Sequence, residues 1–148
     1  MVRIVKLAII SLVAMFLALF LISLMIPSTV RVSRAINLPV EKQNVYPLLA
    51  DTGKWSAWNE LKNDRIAIQL LSADSNLIHS RWSYGGRSLD GYYRLEKIAD
   101  VTVVQWYFEI KLKWHPWEKF ASITFEKQFG GPMEKSLAKL QEMVTNSP

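Results

Sequence analysis

No cysteine occurs in the 148 residues. Disulfides, thiolate metal sites, a cysteine nucleophile and an acylated-cysteine anchor are therefore all excluded. Histidine is nearly as scarce: His79 and His115 are the only two, and they form no HxH or HExxH pattern. A zinc site needs three or four nitrogen, sulfur or oxygen ligands, so no metal and no cofactor is expected. A G-x-S-x-G nucleophile elbow and Gly-rich phosphate loops are also missing. Net charge is +5, but Arg3 and Lys6 precede a long apolar run. Without them 16 basic residues face 13 acidic ones, a balance of +3 that is too mild to indicate nucleic acid.

What is present begins with that run. Leu7–Ile26, "LAIISLVAMFLALFLISLMI", has Ser11 and Ser23 as its only polar members. Twenty helical residues at about 1.5 Å each span roughly 30 Å, the hydrocarbon thickness of a bilayer. The run is apolar on every side, which fits a spanning helix better than a surface one. It exceeds the usual ~7–15 apolar residues of a signal peptide, and "SLMIPST" offers no small-x-small cleavage site. The sequence thus predicts a single-pass anchor over residues 1–28, its helix covering about 7–26, followed by one folded domain over 29–148. Arg3, Lys6 and the free amine favour a cytoplasmic N-terminus, although Arg31 and Arg34 follow the span closely. In a bacterium this places the domain in the periplasm.

From Thr29 the hydropathy alternates. "TVRVSRAINLP" sets Val30, Val32, Ile36 and Leu38 on one side of a strand, with Arg34 on the same side. "PVEKQNVYPLLAD" and "TGKWSAWNE" read as two short helices, with Trp55 and Trp58 sharing a face at i, i+3. Four strands are then predicted at Arg65–Ser72, Leu77–Tyr84, Arg87–Ile98 and Val101–Trp114. In the last, Val104, Trp106, Phe108, Ile110, Leu112 and Trp114 share one face. "WHPW" reads as a turn that leaves His115 solvated at its tip, because Pro116 cannot donate to a ladder. A further strand, Glu118–Lys127, follows, and then a helix from Met133 to about Thr145 with Pro132 in its first turn. Met133, Leu137, Leu140 and Val144 make its apolar stripe. The fold class is α+β: a bent antiparallel sheet of about six strands wrapped on a long C-terminal helix.

That order, with "VRVSRAINLPVEKQNVYPLLADTGKWSAWNE" at one end and "FGGPMEKSLAKLQ" at the other, resembles the START-like helix-grip superfamily (SRPBCC). The resemblance lies with its polyketide cyclase/dehydrase and lipid-transport branch. The C-terminal match rests on Gly131, Pro132, Met133, Glu134, Leu137 and Leu140. Coverage runs from about Thr29 to Val144, and the membrane anchor lies outside it. The resemblance implies a cavity between sheet and helix that takes a hydrophobic small molecule or lipid. It implies no fixed catalytic set. The middle of the chain, Asn63 to Ile98, is short and lacks a Gly-rich strand entry common among relatives.

The expected lining is Arg34, Ser80, Trp82, Tyr84, Tyr93, Trp106, Phe108, Ile110, Trp114, Met133, Leu137 and Leu140. Trp114 would close one end. Polar members on inward positions are few, and no carboxylate accompanies them, so no catalytic residue is assigned. Arg34, on an apolar side, should pair with a carboxylate or receive an anionic head group, or else sit at the strand end and reach water. The aromatics either line a cavity or fill the space themselves, since native cores are close-packed. Three functions follow: a membrane-tethered binder of a hydrophobic molecule or lipid, a cyclase- or dehydratase-type enzyme, or a protein-interaction module with a filled core.

Overall fold

The computed structural model describes residues 1–146. Its order is α1 (Val2–Met25), β1 (Thr29–Leu38), α2 (Lys42–Ala50), a 3₁₀ turn (Lys54–Ala57), β2 (Ala67–Ala73), β3 (Leu77–Tyr84), β4 (Arg87–Ile98), β5 (Val101–Lys111), α3 (Pro116–Ala121) and α4 (Phe125–Thr145), with a second 3₁₀ turn, Ser122–Thr124, before α4. The chain forms two compact units. One comprises Met1–Val30 with Lys111–Ile123; the other comprises Arg31–Ile110 with the chain from Thr124 onward.

In the first unit α1 is a 24-residue helix, long and apolar enough to cross a membrane by length and composition. Nearly all of it is exposed, but Ser23 in its last turn is fully buried and donates to the Phe20 carbonyl at 2.7 Å. The short α3 packs against α1. Pro116 opens α3 in the first turn, where a missing N–H costs nothing.

In the second unit five strands make one sheet in the order β1-β5-β4-β3-β2. The β2–β3, β3–β4 and β4–β5 pairs are antiparallel. Gly85 and Gly86 both take positive φ (56° and 77°), a conformation that L-residues adopt only with strain, and so close the β3–β4 hairpin in two residues. Alternation then sends Ile78, Ser80 and Trp82 of β3, Tyr93 and Leu95 of β4, and Val104, Trp106 and Phe108 of β5 to the buried side. Val45 and Leu49 of α2, Trp55, Trp58, and Met133, Leu137, Leu140 and Val144 of α4 complete the same apolar cluster.

Several expectations need correction. The sheet has five strands rather than about six, because the predicted strand Glu118–Lys127 is helical throughout. Phe125, Phe129 and Met133 are spaced four apart, which is helical and not strand periodicity. Phe125 and Phe129 meet edge-on at 6.0 Å, and α4 runs straight through Gly130, Gly131 and Pro132 instead of starting at Met133. β5 ends at Lys111, three residues early, so "WHPW" is a helix entry with His115 as N-cap and not a strand-to-strand turn. Trp114 is consequently 69% exposed instead of inward-facing. Tyr84, beside the hairpin glycines, is 58% exposed. In β2 a register shift between Leu70 and Ser72 breaks the predicted parity and leaves Leu70 and Leu71 exposed.

Gly91 of β4 lies directly opposite Ser80 and Phe108 in the register. A Cβ there would stand 2.8 Å from both Phe108 Cε1 and Trp82 Nε1, two rigid rings that cannot swing aside. Gly91→Ala should therefore lower the stability of residues 29–148 by about 1–3 kcal/mol, the usual range for overpacking. Urea unfolding followed by tryptophan emission checks this; an unchanged midpoint would show that the rings can part.

Candidate functional site

The buried face of the sheet carries a continuous run of aromatic rings. Trp82 stacks on Trp55 at 5.6 Å and 22°, and meets Phe108 edge-on at 5.2 Å. Trp106 touches Tyr93 at 5.1 Å, Phe108 at 5.3 Å and Trp82 at 6.1 Å. Trp58 closes edge-to-face on Tyr93 and Trp106 at 5.9 and 6.2 Å. Each ring lies within contact distance of several others, the spacing at which aromatic pairs gain beyond their buried area. Trp55 and Trp58, expected to share a face, meet at 6.2 Å with both side chains buried.

Polar atoms inside this cluster are few. Ser80 Oγ donates to the Gly91 carbonyl at 3.1 Å and accepts from Trp82 Nε1 at 3.0 Å. Asn59 Nδ2 donates to the Tyr93 hydroxyl at 3.2 Å, and Asn59 Oδ1 accepts from the Leu61 amide. Trp55 Nε1 donates to the Leu49 carbonyl at 3.0 Å. Trp58 Nε1 and Trp106 Nε1 are buried with no hydrogen-bond acceptor among the described residues. Periodicity had located these indoles but not their unmet donors, which depend on ring orientation. Asn59, adjacent to the Trp55–Trp58 pair, carried no signal in the sequence beyond that position.

Burial holds the Tyr93 phenol well above its ordinary value, the Asn59 bond pulling weakly the other way. Tyr93 is thus a neutral group. Among the described residues no Asp, Glu or His side chain is fully buried with it, and no three His, Asp or Glu side chains gather as metal ligands. The arrangement can orient a bound group through hydrogen bonds. It contains no base with which to take a proton.

Arg34 lies at the edge of the apolar side, its side chain one-quarter exposed. Its Nη2 pairs with Glu126 at 2.5 Å, its Nε with Glu134 at 2.5 Å, and its Nη1 donates to the Ser33 carbonyl at 2.8 Å. The hydrogen bonds it donates to Glu126, then to Glu134, raise the guanidinium pKa further. The carboxylate alternative is therefore the one realised, with both partners on α4. Gly130 makes room: a Cβ there would lie 2.9 Å from Arg34 Cζ. Of the other predicted lining residues, Ser80, Trp82, Tyr93, Trp106, Phe108, Met133, Leu137 and Leu140 come together in the buried cluster, and Ile110 packs against it half-buried. Tyr84 and Trp114 do not.

The opposite face of the sheet has its own stack. His79 lies on Tyr92 at 4.3 Å, Tyr92 on Tyr107 at 4.9 Å, and the Arg31 guanidinium sits 4.6 Å above the Tyr107 ring. His79 is thus on the outer face, as parity predicts. Its Nε2 is 3.4 Å from Asp90 Oδ1 but is not aligned for a hydrogen bond.

No protein-family model and no curated protein matches the sequence. Solved structures do match the fold. CalU16 from Micromonospora echinospora superposes with a TM-score of 0.60 at 13% identity, covering 81% of this chain and 84% of that one. Norcoclaurine synthase from Thalictrum flavum, solved in complex with dopamine and hydroxybenzaldehyde, gives 0.62 at 10% identity, covering 81% and 88%. DynU16, a protein of the dynemicin biosynthetic locus, gives 0.60 at 12% identity; the match covers 78% of this chain but 47% of DynU16.

Two measurements probe the site. Tyr93 keeps its proton in the folded state at pH values where the unfolded chain, near its ordinary pKa of about 10, has lost it. Stability contributed by Tyr93 is therefore whole below about pH 10 and falls as pH rises beyond that. Tyr93→Phe should flatten the decline in unfolding midpoint between about pH 9 and 11, while losing about 1 kcal/mol at neutral pH from the unpaired Asn59 amide. Separately, Gly130→Ala should destabilise by displacing Arg34. Gly131→Ala, whose Cβ meets nothing within 4 Å, should stabilise α4 by about 0.5–1 kcal/mol. Equal effects at the two glycines would remove Arg34 as the cause. At these levels of identity the comparisons establish architecture alone: the chain has the helix-grip fold.

Proposed function

We propose that this chain is a membrane-anchored helix-grip module that binds a hydrophobic small molecule or lipid between the sheet and α4, with no chemistry of its own. Residues 1–28 are the anchor and 29–148 the binding domain, facing the periplasm in a bacterium. The observation that carries the reading is the pair of buried indole donors, Trp58 Nε1 and Trp106 Nε1, without acceptors. An unmet buried N–H costs about 1–3 kcal/mol, a cost that a ligand oxygen would offset. Ser80, Trp82, Tyr93, Phe108, Met133, Leu137 and Leu140 would contact the apolar body, and Arg34 the rim. The ligand class is accordingly an apolar molecule bearing one hydrogen-bond acceptor.

A second reading has its own support. The rings already fill one another's contact space at 5.1–6.2 Å, and Trp58 meets Trp106 edge-to-face, where an indole N–H can rest on a π-face. On that reading the core is solid and the domain serves as a protein-interaction module.

Matched apolar fluorescent probes, one with a carbonyl and one without, distinguish the two. Saturable binding of one probe per copy of residues 29–148 is expected, with the carbonyl probe preferred about fivefold, the equivalent of one net hydrogen bond of about 1 kcal/mol. Trp58→Phe or Trp106→Phe should erase that preference. Failure of every apolar probe to bind would reject the binding module in favour of the filled core.

A further inference from the structure

The segment Lys111–Ile123 turns the usual order of a helix surface inside out. A short helix at a water boundary exposes its charges and hides its aromatics. Here Lys119 is 6% exposed, whereas Trp114, Trp117 and Ile123 are 69%, 62% and 67% exposed. Pro116, Lys119 and Ser122, spaced three apart, form the buried side. Trp114, Trp117 and Ala121 follow at helical spacing on the open side.

The depth of this segment along α1 is set by two hydrogen bonds and by the packing of α3 on α1. Lys119 Nζ donates to the Ile26 carbonyl at 3.0 Å, placing an ammonium on the negative end of the long helix. The Leu112 amide donates to the Ser28 carbonyl at 2.8 Å. Ser23 is the one residue of α1 that is fully buried, and α3 is the element packed on α1. The exposed tryptophans are therefore level with the last turn of α1, where an apolar span ends. His115 stiffens them: its ring lies 4.6 Å from Trp117 at 7°, and 4.4 Å from Trp114. Stacking leaves little rotamer freedom to lose on binding. The segment carries Lys111, Lys113 and Lys119 against Glu118, and Lys111 and Lys113 are exposed.

Amphipathic rings at this depth, flanked by lysines, match the boundary between acyl chains and head groups, where tryptophan is enriched. We propose that residues 111–123 are a second membrane contact, lying in the interface of the leaflet at the C-terminal end of α1. Trp114, Trp117 and Ile123 enter the upper acyl region, and Lys111 and Lys113 meet lipid phosphates. The inference rests on the reading of α1 as a membrane span. Its occupant is a phospholipid surface rather than a protein groove, because the patch is continuous with the span.

The test uses the full chain in vesicles of phosphatidylcholine and phosphatidylglycerol containing lipids brominated at shallow or deep acyl positions. Of the six tryptophans, Trp55, Trp58, Trp82 and Trp106 are buried in the core, and none lies in α1. Shallow bromine should therefore quench part of the emission more strongly than deep bromine. That component should vanish in the Trp114→Phe/Trp117→Phe double variant. Equal quenching in the double variant overturns the proposal. So does an unquenched wild-type chain whose tryptophans remain open to aqueous iodide while the chain resists alkaline carbonate extraction. Release by carbonate instead overturns the span itself, and the interfacial contact with it.

Discussion

The ring cluster on the buried side of the sheet is the constraint on which the second unit depends. It joins three strands through Trp82, Tyr93, Trp106 and Phe108 to the 3₁₀ turn through Trp55 and Trp58. Each ring is fixed by neighbours from other elements, so none can be repositioned alone. At about 0.5–1.5 kcal/mol per aromatic pair beyond area burial, the network supplies a large share of what a domain of this size needs. Gly91 is the corresponding concession: a side chain is given up on β4 so that two rings can meet above it.

The same cluster limits what its own buried groups can do. Its hydrogen bonds are short-range and neutral, and its one acid, Tyr93, is kept protonated by burial. Proton transfer requires a group poised near the working pH, whereas orientation of a bound oxygen requires only donors. The interior has donors in Trp58 and Trp106. Charge is confined to its edge, where Arg34 is neutralised by Glu126 and Glu134 and so ties β1 to α4. That pairing converts a residue with the chemistry of an anion receptor into a structural clasp.

The first unit follows a different solvent logic. Its apolar helix is exposed, Lys119 is buried and its tryptophans point outward, an arrangement that is costly in water and natural at a bilayer surface. "WHPW" belongs to this logic: its stacked His115 and the tryptophans on either side form a preset aromatic face.

By itself the sequence determined the long apolar run, the four-strand meander from Ala67 to Lys111, α2 and the apolar stripe of α4, whereas the second predicted short helix is only the 3₁₀ turn Lys54–Ala57. These are periodic signals, and period alone separates strand from helix when the pattern is long. It also placed Arg34 on the apolar side of β1, without deciding between a carboxylate, an anionic head group and water. Tertiary structure decided the rest. A short segment such as Glu118–Lys127 has no decisive period: its first residues belong to α3, which Pro116 opens, and its last three begin α4, where Phe125 and Phe129 extend the face of Met133. Trp114 turned outward because β5 ends at Lys111, and alternation has meaning only while a ladder continues; Tyr84 is still paired with Arg87 and is exposed because it stands at the hairpin end, beside Gly85 and Gly86. Which indoles find an acceptor, and which carboxylates reach Arg34, depends on distances between elements far apart in the chain, and no local pattern encodes those.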